Sequence, residues 1–348
     1  MKLIIFCVFT FCMMGHISTA QEPSMISKLD LEKLPASQGV FNFWVQTSYN
    51  GMAQPVLVPV IVVKGARPGP VLGITAGIHG NELNGIGVIH RLLEQINPAQ
   101  LAGTIVAVPG LNVPGILDND RRFPDGEDLN RVFPGSADGD ESQQYVFHAF
   151  EKIIYCFDYL IDLHTASFGR INALYVRADL ALDTLAQMAA LQPADIILNS
   201  KGAPSFGADQ STALTLRAYA AQHGIPSLTI ELGDPQVFQP DMIRRGAQGV
   251  HNALCYLNML DQKPEAPEIK PVYCKKSYWM YTGKGGLLEV TVQPGQQVQK
   301  GELIARLRNP FGELLDTYTA PESGIVIGAG SNPVCPSGGR IIHLGILQ

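Results

Sequence analysis

The stretch from Pro55 to Leu260 alternates short apolar runs with segments of helical periodicity, and this alternation restricts the fold more than any other feature. The apolar runs are rich in Val and Ile, have the length of buried strands and cover residues 56–63, 71–76, 104–108, 159–163, 173–176, 195–198 and 227–230. The helical segments cover residues 82–96, 141–157, 182–191, 213–223 and 240–260. Strands that alternate with helices of this length predict an α/β fold with a mostly parallel sheet covered on both faces.

Three polar side chains come directly after apolar runs of this pattern. His79 follows the run at 71–76, His164 follows the run at 159–163, and Glu231 follows the run at 227–230. In parallel sheets the functional groups collect at the carboxyl ends of the strands. We therefore treat these three residues as candidates for a functional site at that edge of the sheet.

A different pattern begins after Leu260. Residues 261–271 contain three prolines and five charged side chains, which indicates a linker. Residues 272–348 combine short apolar runs with turn signals such as QPGQQVQKGE and NPFGE, which predicts a small all-β domain with strands at 286–292, 302–308, 315–319 and 324–327. Cys274 and Cys335 both lie in this domain, and either a disulfide between them or free buried thiols would fit the sequence.

The first twenty residues have the features of a signal peptide. Lys2 supplies positive charge, residues 3–14 are almost wholly apolar, and Ser18-Thr19-Ala20 offers small residues for cleavage. We therefore expect residues 1–20 to be removed, the α/β domain to span 21–260, and the protein to be exported, either to a periplasm or out of the cell. An uncleaved N-terminal anchor is the alternative. No later segment approaches about 20 uninterrupted apolar residues, so no stable membrane span is predicted.

The charge distribution argues against a nucleic-acid partner. The formal net charge is −6 at pH 7, and no long run of Lys or Arg offers a phosphate-binding face. Charged residues make up only 16% of the chain, whereas Gly and Pro are frequent, as in a compact enzyme with many turns. The sequence leaves open whether the chain forms a homo-oligomer.

Two segments offer metal ligands. In TAGIHGNELNG, His79 precedes Glu82 by three residues, so both side chains lie on one side of a helix-like turn and can converge on one ion. In LIDLHTAS, His164 follows Asp162 by two residues, and that carboxylate could orient the ring. Taken singly, these residues also fit a polar helix start and a buried, hydrogen-bonded histidine. Together they form a His2Glu set with a fourth position open, the arrangement of catalytic zinc sites.

The segment RRFPDGEDLNRVFPG, residues 121–135, is typical of a polar loop. The guanidinium of Arg131 beside the amide of Asn130 can bind a carboxylate at two points. Arg121 or Arg122 could supply a further cation for a developing oxyanion. Ion pairs between these arginines and the neighbouring aspartates are the alternative interpretation.

The segment SLTIELGD ends an apolar strand with Glu231. A carboxylate at this position could take a proton from a water molecule and pass it to a leaving nitrogen. A helix cap or an ion-pair partner would also explain a single acid at a strand end.

The motifs HGNE, DLNRVFPG, DLHT and TIELG, in this order between residues 55 and 260, resemble those of the succinylglutamate desuccinylase/aspartoacylase family of the zinc carboxypeptidase superfamily. The resemblance implies a doubly wound, zinc carboxypeptidase-like α/β fold and one catalytic Zn²⁺ ion. The site residues that it implies are His79, Glu82 and His164 for the metal, Asn130 and Arg131 for the substrate's carboxylate, Glu231 as general base and acid, and Arg122 for polarising the scissile carbonyl.

The resemblance assigns two further roles less specifically. For the residue that polarises the carbonyl, Arg122 fits the family spacing better than Arg121. For a residue near the end of the catalytic domain that closes over the substrate, Arg217 and Tyr219 are the candidates. The C-terminal segment resembles the small β domain of such deacylases and also a biotinyl/lipoyl-type barrel. Its hairpin at 309–313 lacks the lysine of a carrier domain, so a lid or assembly domain is predicted.

These residues together predict zinc-dependent hydrolysis of an amide bond next to a free carboxylate. Deacylation of an N-acyl amino acid fits the family motifs, whereas a metallocarboxypeptidase that trims short or cell-wall peptides fits export. A non-catalytic binding protein that keeps the fold is the alternative from another functional class.

Overall fold

The computed structural model describes residues 22–202 and 213–348, so the predicted signal peptide lies outside the described residues and stays a prediction. The described residues form eighteen strands and six α-helices. The strands are β1 (Ser24–Ile26), β2 (Gly39–Tyr49), β3 (Pro55–Lys64), β4 (Arg67–Ala76), β5 (Ala102–Val108), β6 (Tyr159–His164), β7 (Arg170–Asn172), β8 (Leu174–Ala178), β9 (Ile196–Asn199), β10 (Ser227–Leu232), β11 (Val272–Tyr281), β12 (Gly286–Val290), β13 (Gln297–Val298), β14 (Leu303–Arg308), β15 (Leu314–Thr319), β16 (Gly324–Gly330), β17 (Val334–Cys335) and β18 (Arg340–Leu347). The helices are α1 (Asn84–Leu93), α2 (Val113–Asp118), α3 (Glu141–Lys152), α4 (Asp183–Ala190), α5 (Leu216–Gln222) and α6 (Pro240–Tyr256).

Fourteen of these strands form one large sheet. Thirteen follow the order β1-β2-β3-β5-β4-β6-β10-β8-β9-β11-β18-β16-β13, and β7 pairs with β16. At the centre, β5, β4, β6 and β10 are parallel neighbours, as the alternation of strands and helices predicts. The flanking strands β3 and β8 run antiparallel to β5 and β10, so the sheet as a whole is mixed.

Helices cover both faces of the central sheet. On β5, Ile105 and Ala107 belong to one hydrophobic cluster, and Val106 and Val108 belong to another. The first cluster includes side chains of α1, α4 and α6, and the second includes side chains of α3 and α5. Because successive side chains of such a strand are buried on opposite faces, the strand appears in the sequence as a continuous apolar run. Among the described residues, no helix has the length and apolar character needed to cross a membrane.

The C-terminal strands extend the large sheet. Strand β11 pairs in parallel with β9, and β16 pairs with β7. Strands β15, β14, β12 and β17 form a second, four-stranded sheet. The predicted linker at 261–271 contains neither helix nor strand. The division into domains at 21–260 and 272–348 stays a prediction, and the pairing of β11 with β9 brings C-terminal residues next to the first domain.

The four cysteines of the described residues are free thiols. Cys274 is buried with Tyr175 and Ile196, whereas Cys335 belongs to a different cluster with Leu288. The disulfide considered between Cys274 and Cys335 is therefore not formed, because β11 and β17 direct the two thiols into separate cores.

Candidate metal centre and active site

The candidate residues lie at the carboxyl ends of three neighbouring strands. His79 and Glu82 lie in the turn between β4 and α1, where the Glu82 backbone N–H donates to the His79 carbonyl at 3.1 Å. His164 is the last residue of β6, and in β10 Glu231 is its register partner. Since β4, β6 and β10 are parallel neighbours, their polar ends meet at one edge of the sheet, as expected for α/β proteins.

Two glycines make the turn after β4 possible. Gly77 has a φ of +68°, a backbone conformation that favours glycine. A Cβ atom on Gly80 would lie only 2.0 Å from the carbonyl carbon of Gly115 in α2. The turn that carries His79 therefore packs directly against the α2 backbone, which fixes the position of the imidazole.

His79, Glu82 and His164 form a buried cluster whose ligand atoms lie within 4.8 Å of one another. The Nδ1 atom of His79 is 2.9 Å from Glu82 Oε1, and the Nδ1 atom of His164 is 3.0 Å from Glu82 Oε2. The contact of His79 Nδ1 is short but lacks hydrogen-bond geometry, and this buried atom has no hydrogen-bond partner among the described residues. A cation between the rings and the carboxylate would satisfy it. Two imidazoles and one carboxylate are donors that zinc accepts, so these residues fit a metal ion.

A second layer of carboxylates holds the outer nitrogen of each ring. Asp128 Oδ1 lies 3.1 Å from His79 Nε2, and Asp162 Oδ2 lies 2.8 Å from His164 Nε2. The hydroxyl of Thr75 donates to the other oxygen of Asp162 at 2.7 Å. With the Nε2 atoms held in this way, both Nδ1 atoms face Glu82. The sequence indicated Asp162, whereas the contact of Asp128 was not predicted, although the residue belongs to the DLNR motif.

The charges of the cluster stabilise one another. Burial alone would raise the pKa of Glu82, but the imidazoles of His79 and His164 outweigh this effect and hold that pKa well below its usual value. Burial would lower the pKa of His164, but Asp162 and Glu82 raise it well above the ordinary histidine value. In the absence of metal, Glu82 is therefore ionised and His164 carries a proton, which a divalent cation must displace.

Replacing Asp162 with asparagine is expected to weaken zinc binding by about 10- to 100-fold, because the amide cannot orient and polarise the His164 ring as the carboxylate does. Competition with a chromophoric chelator measures the affinity. Asp158→Asn is the matched control, since Asp158 is an exposed acid just before the same strand. Equal zinc affinities for the two variants would contradict the role assigned to Asp162.

The structure brings Arg121, not Arg122, to the metal cluster. Arg121 Nη1 lies 3.0 Å from Glu82 Oε1, and its Nη2 donates to Asp128 Oδ2 at 2.8 Å. Arg122 is exposed, and its backbone N–H donates to Asp120 Oδ1 at 2.8 Å. Both arginines line the cavity, but only Arg121 contacts a predicted metal ligand. The preference for Arg122 rested on spacing alone, which does not reveal how the turn at Asp120 directs the two side chains.

Asn130 and Arg131 line the same cavity as the metal cluster. The Asn130 side-chain oxygen accepts the backbone N–H of Leu216 at 2.7 Å, so its NH2 group is the part of the amide that has no partner within residues 22–202 and 213–348. Arg131 is anchored through Nη1 to the carbonyl of Asn130 at 2.6 Å. The pair therefore presents N–H donors to the cavity, as binding a carboxylate requires.

Arg217 and Tyr219, the two candidates for the residue that closes over the substrate, lie in different places. Arg217 lines the cavity, and its guanidinium donates to the Ser200 carbonyl at 2.8 Å. Tyr219 instead packs against Phe150, with ring centroids 4.6 Å apart, and against His223. Because Arg217 lines the cavity and Tyr219 does not, Arg217 is the better candidate for the residue that closes over the substrate.

Glu231 lies in the cavity, held by two residues that the sequence did not single out. Asn172 Nδ2 donates to Glu231 Oε2 at 3.3 Å, and Arg177 Nε is 3.8 Å from Oε1. Asn172 lies on β7, and Arg177 lies on β8, the antiparallel neighbour of β10. The only sequence signal for them was polar residues within the otherwise apolar segment RINALYVRA.

Gly328 of β16 makes room for the Asn172 side chain, because a Cβ atom there would lie 2.2 Å from Asn172 Oδ1. Gly328→Ala should therefore displace the amide of Asn172 from Glu231 and lower kcat about tenfold. This factor corresponds to the free energy of roughly one hydrogen bond to a charged group. Asn172→Ala should produce the same loss without touching β16. In both variants the zinc content should be unchanged.

Gly283→Ala is the matched control for the glycine substitution, since a Cβ atom at Gly283 meets nothing within 4 Å. Steady-state kinetics and thermal melting separate an effect on turnover from an effect on folding. If Asn172→Ala keeps the kcat of the parent protein, Asn172 does not position Glu231.

The cluster opens into a cavity of about 1230 Å³. Its wall includes side chains from the C-terminal strands, among them Trp279 of β11 and Arg340 and His343 of β18. The C-terminal region thus contributes directly to the candidate active site.

The central part of the chain, residues 68–257, matches the model of the succinylglutamate desuccinylase/aspartoacylase catalytic domain. The chain is 29% identical over 301 residues to the N-alpha-acetyl-L-2,4-diaminobutyric acid deacetylase of Halomonas elongata, a match that covers 82% of this chain and 84% of that protein. It is 31% identical over 190 residues to the succinylglutamate desuccinylase of Pseudomonas paraeruginosa, covering 50% of this chain and 54% of that protein.

Solved structures show the same fold. The product-bound ectoine utilization protein EutE (DoeB) from Ruegeria pomeroyi has a TM-score of 0.79 at 21% identity, covering 90% of this chain and 98% of that one. A succinylglutamate desuccinylase/aspartoacylase from Rhodobacter sphaeroides also has a TM-score of 0.79, at 24% identity, covering 92% of this chain and 98% of that one. The matched catalytic-domain model spans more than half of the chain and contains all four predicted motifs. The chain therefore belongs to the succinylglutamate desuccinylase/aspartoacylase family.

Proposed function

We propose that the protein is a zinc-dependent amidohydrolase that removes the acyl group from an N-acyl amino acid. The observation that carries this proposal is the convergence of His79, Glu82 and His164 with Glu231 at one edge of the sheet. The two sequence relatives support it, since one is named as a deacetylase of an acetylated amino acid and the other as a desuccinylase.

His79, Glu82 and His164 are the residues that would hold the zinc ion. When bound, zinc would supply a Lewis acid for the amide carbonyl and lower the pKa of water at the site. Asp128 and Asp162 keep the two imidazoles oriented through their outer nitrogens. The protein thus presents two oriented imidazoles and one carboxylate at the place proposed for the metal.

Glu231 is the group that moves the proton in this proposal. Its carboxylate accepts a proton from the attacking water and delivers it to the nitrogen of the scissile amide as the bond breaks. The contacts from Asn172 and Arg177 fix the direction of the carboxylate oxygens. The side chain is 14% exposed, so substrate and water can reach it from the cavity.

The arginines orient the substrate. Arg131 and Asn130 bind the carboxylate of the amino acid, which holds the scissile carbonyl in register with Glu231. Arg121, adjacent to Glu82, is placed to stabilise negative charge that develops on the carbonyl oxygen. We assign this role to Arg121 because of that contact, in place of Arg122.

Two broader features belong to the same proposal. The parallel central strands and the helices on both faces support the doubly wound, zinc carboxypeptidase-like arrangement implied by the motifs.

The sequence of residues 1–20 supports export of the protein, and N-terminal sequencing of the protein from cell fractions tests this prediction.

Mass spectrometry of the products tests the proposed reaction. Zinc-loaded protein is incubated with a mixture of N-acyl amino acids and short peptides, with Glu231→Gln as the control. We expect a free acyl acid and a free amino acid with the parent protein only. Release of C-terminal residues from peptides would indicate a carboxypeptidase instead. No release from any compound would favour a protein that only binds its ligand.

A further inference from the structure

Tyr175 and Arg177 lie next to Glu231 on the face of the sheet that carries the metal cluster. Tyr175 in β8 is the register partner of Glu231 in β10, and Glu231 is in turn the register partner of His164 in β6. Register partners point to the same face of a sheet, as do residues two positions apart in one strand. The four side chains therefore share one face, and all of them line the cavity.

The ion pair with Glu231 does not by itself fix the guanidinium group of Arg177. Arg177 Nε is 3.8 Å from Glu231 Oε1, which is longer than a hydrogen bond. Within residues 22–202 and 213–348, no other carboxylate forms an ion pair with Arg177. Because an arginine side chain has several rotatable bonds, a contact of this length leaves the direction of the guanidinium group open. Another contact must therefore hold it.

The phenol oxygen of Tyr175 supplies that contact. Arg177 Nη2 donates to Tyr175 Oη at 2.8 Å, and Arg177 Nε donates to the same oxygen at 3.2 Å. Two N–H groups of one planar guanidinium group thus bind one oxygen, which fixes the plane of the group as well as its position. Burial raises the pKa of Tyr175, although Arg177 alone would lower it. The phenol therefore stays protonated at neutral pH and does not compete with Glu231 for the charge of Arg177.

The ring of Tyr175 is itself held in place by its neighbours. Tyr175 is buried in a hydrophobic cluster with Ile196 of β9 and with Cys274 and Ile327 of the C-terminal strands β11 and β16. The ring of His343 in β18 packs against it edge to face, with centroids 6.2 Å apart. A closely packed ring with only two side-chain torsions has little freedom to move. The phenol oxygen is therefore a fixed point to which Arg177 is bound.

We propose that Tyr175 is a positioning residue of the active site. Its phenol oxygen holds the guanidinium group of Arg177 beside Glu231, and Arg177 in turn keeps the carboxylate of Glu231 directed towards the substrate. The inference rests on the proposed function, in which Glu231 moves the proton. It also gives the C-terminal strands a role in catalysis, because they pack against the ring that holds Arg177.

Tyr175→Phe removes the acceptor oxygen and leaves the packed ring in place. We expect kcat to fall about tenfold, a factor that corresponds to the loss of roughly one hydrogen bond to a charged group. KM should change much less than kcat, because Arg131 and Asn130, which bind the carboxylate of the substrate, are not altered. The zinc content should also be unchanged, since Tyr175 is not one of the clustered ligands.

A double-mutant cycle separates the proposed role from a general effect on structure. If Tyr175 acts through Arg177, Tyr175→Phe should cause no further loss of kcat in a protein that already carries Arg177→Met. Tyr273→Phe is the matched control and should keep the kcat of the parent protein, since Tyr273 is exposed on β11 and does not line the cavity. An equal loss from Tyr175→Phe with and without Arg177→Met would overturn the proposal, and so would an unchanged kcat in Tyr175→Phe alone.

An NMR measurement on the zinc-loaded protein examines the contact without turnover. A guanidinium Nε–H exchanges with water only when its hydrogen bond opens, and the signal of Arg177 is identified by its absence from the spectrum of Arg177→Met. We expect about tenfold faster exchange of this proton in Tyr175→Phe than in the parent protein, and no change in Tyr273→Phe.

The two measurements together distinguish the failure of this inference from the failure of the proposed function. An active enzyme in which Tyr175→Phe leaves the exchange of the Arg177 Nε–H unchanged would overturn the inference alone. A parent protein that hydrolyses no N-acyl amino acid would reject the proposed function, and with it the catalytic role of Tyr175, even if the exchange depends on Tyr175.

Discussion

Glu231→Gln is expected to lower kcat by about 10²- to 10⁴-fold, the usual contribution of a positioned general base. Glutamine has nearly the same shape and can keep the contact with Asn172, but its amide cannot accept a proton from water. The substrate-binding arginines are unchanged, so KM should change much less than kcat. Zinc content should stay at one ion per chain, because Glu231 is not one of the three clustered ligands.

Steady-state kinetics and metal analysis on the same preparation check this result. Glu94→Gln, an exposed acid just after α1, is the control and should behave like the parent protein. Full activity of Glu231→Gln would remove Glu231 from the mechanism. Loss of zinc from that variant would show that Glu231 acts on the metal site instead of on the proton.

His164→Ala is expected to abolish turnover at ordinary zinc concentrations, because the variant binds zinc much more weakly. The loss of zinc affinity should exceed the roughly 10- to 100-fold loss that removal of a supporting carboxylate causes. The substitution removes a ligand atom and also leaves the buried Asp162 without its imidazole partner. The stabilisation that bound zinc gives to the parent protein in thermal melting should therefore largely disappear.

The raised pKa of His164 provides a second readout. At neutral pH the ring is protonated without metal, so zinc must displace that proton, and zinc affinity should rise with pH towards the raised pKa. Calorimetry in buffers of different ionisation enthalpy should detect this proton release in the parent protein and its loss in His164→Ala. His90→Ala is the control, because His90 is exposed on α1. Undiminished zinc affinity in His164→Ala would reject the assigned metal site.

The parts of the site that the sequence revealed are those determined by local pattern. The apolar runs that end before His79, at His164 and before Glu231 are strands of one parallel sheet, so the rule for strand ends placed all three residues correctly at one edge. The spacing of His79 and Glu82 was informative because a single turn determines their relative position.

The parts that the sequence did not reveal depend on contacts between distant segments. The choice between Arg121 and Arg122 depends on a turn at Asp120 and on carboxylates that approach from elsewhere in the chain. Asn172 and Arg177 reach Glu231 only because β7 and β8 lie beside strands far away in sequence.

The contribution of the C-terminal strands to the cavity wall could not be predicted from the sequence for a similar reason. Strand β11 has the sequence VYCKKSYWMY, in which lysines interrupt the apolar pattern, and it was not predicted as a strand. Its pairing with β9 and β18 brings Trp279 and Arg340 to the cavity. No periodicity within β11 indicates a partner strand more than seventy residues earlier in the chain.

The most direct test of the account is a zinc titration of metal-free protein with release of the acyl acid as the readout. One zinc ion in the cluster of His79, Glu82 and His164 predicts that activity rises in proportion to added zinc and stops rising at one equivalent per chain. Metal-free Glu231→Gln should bind the same single equivalent and remain inactive. Full activity of the metal-free protein, or binding of one zinc ion with no hydrolysis of any N-acyl amino acid by the parent protein, would contradict the account.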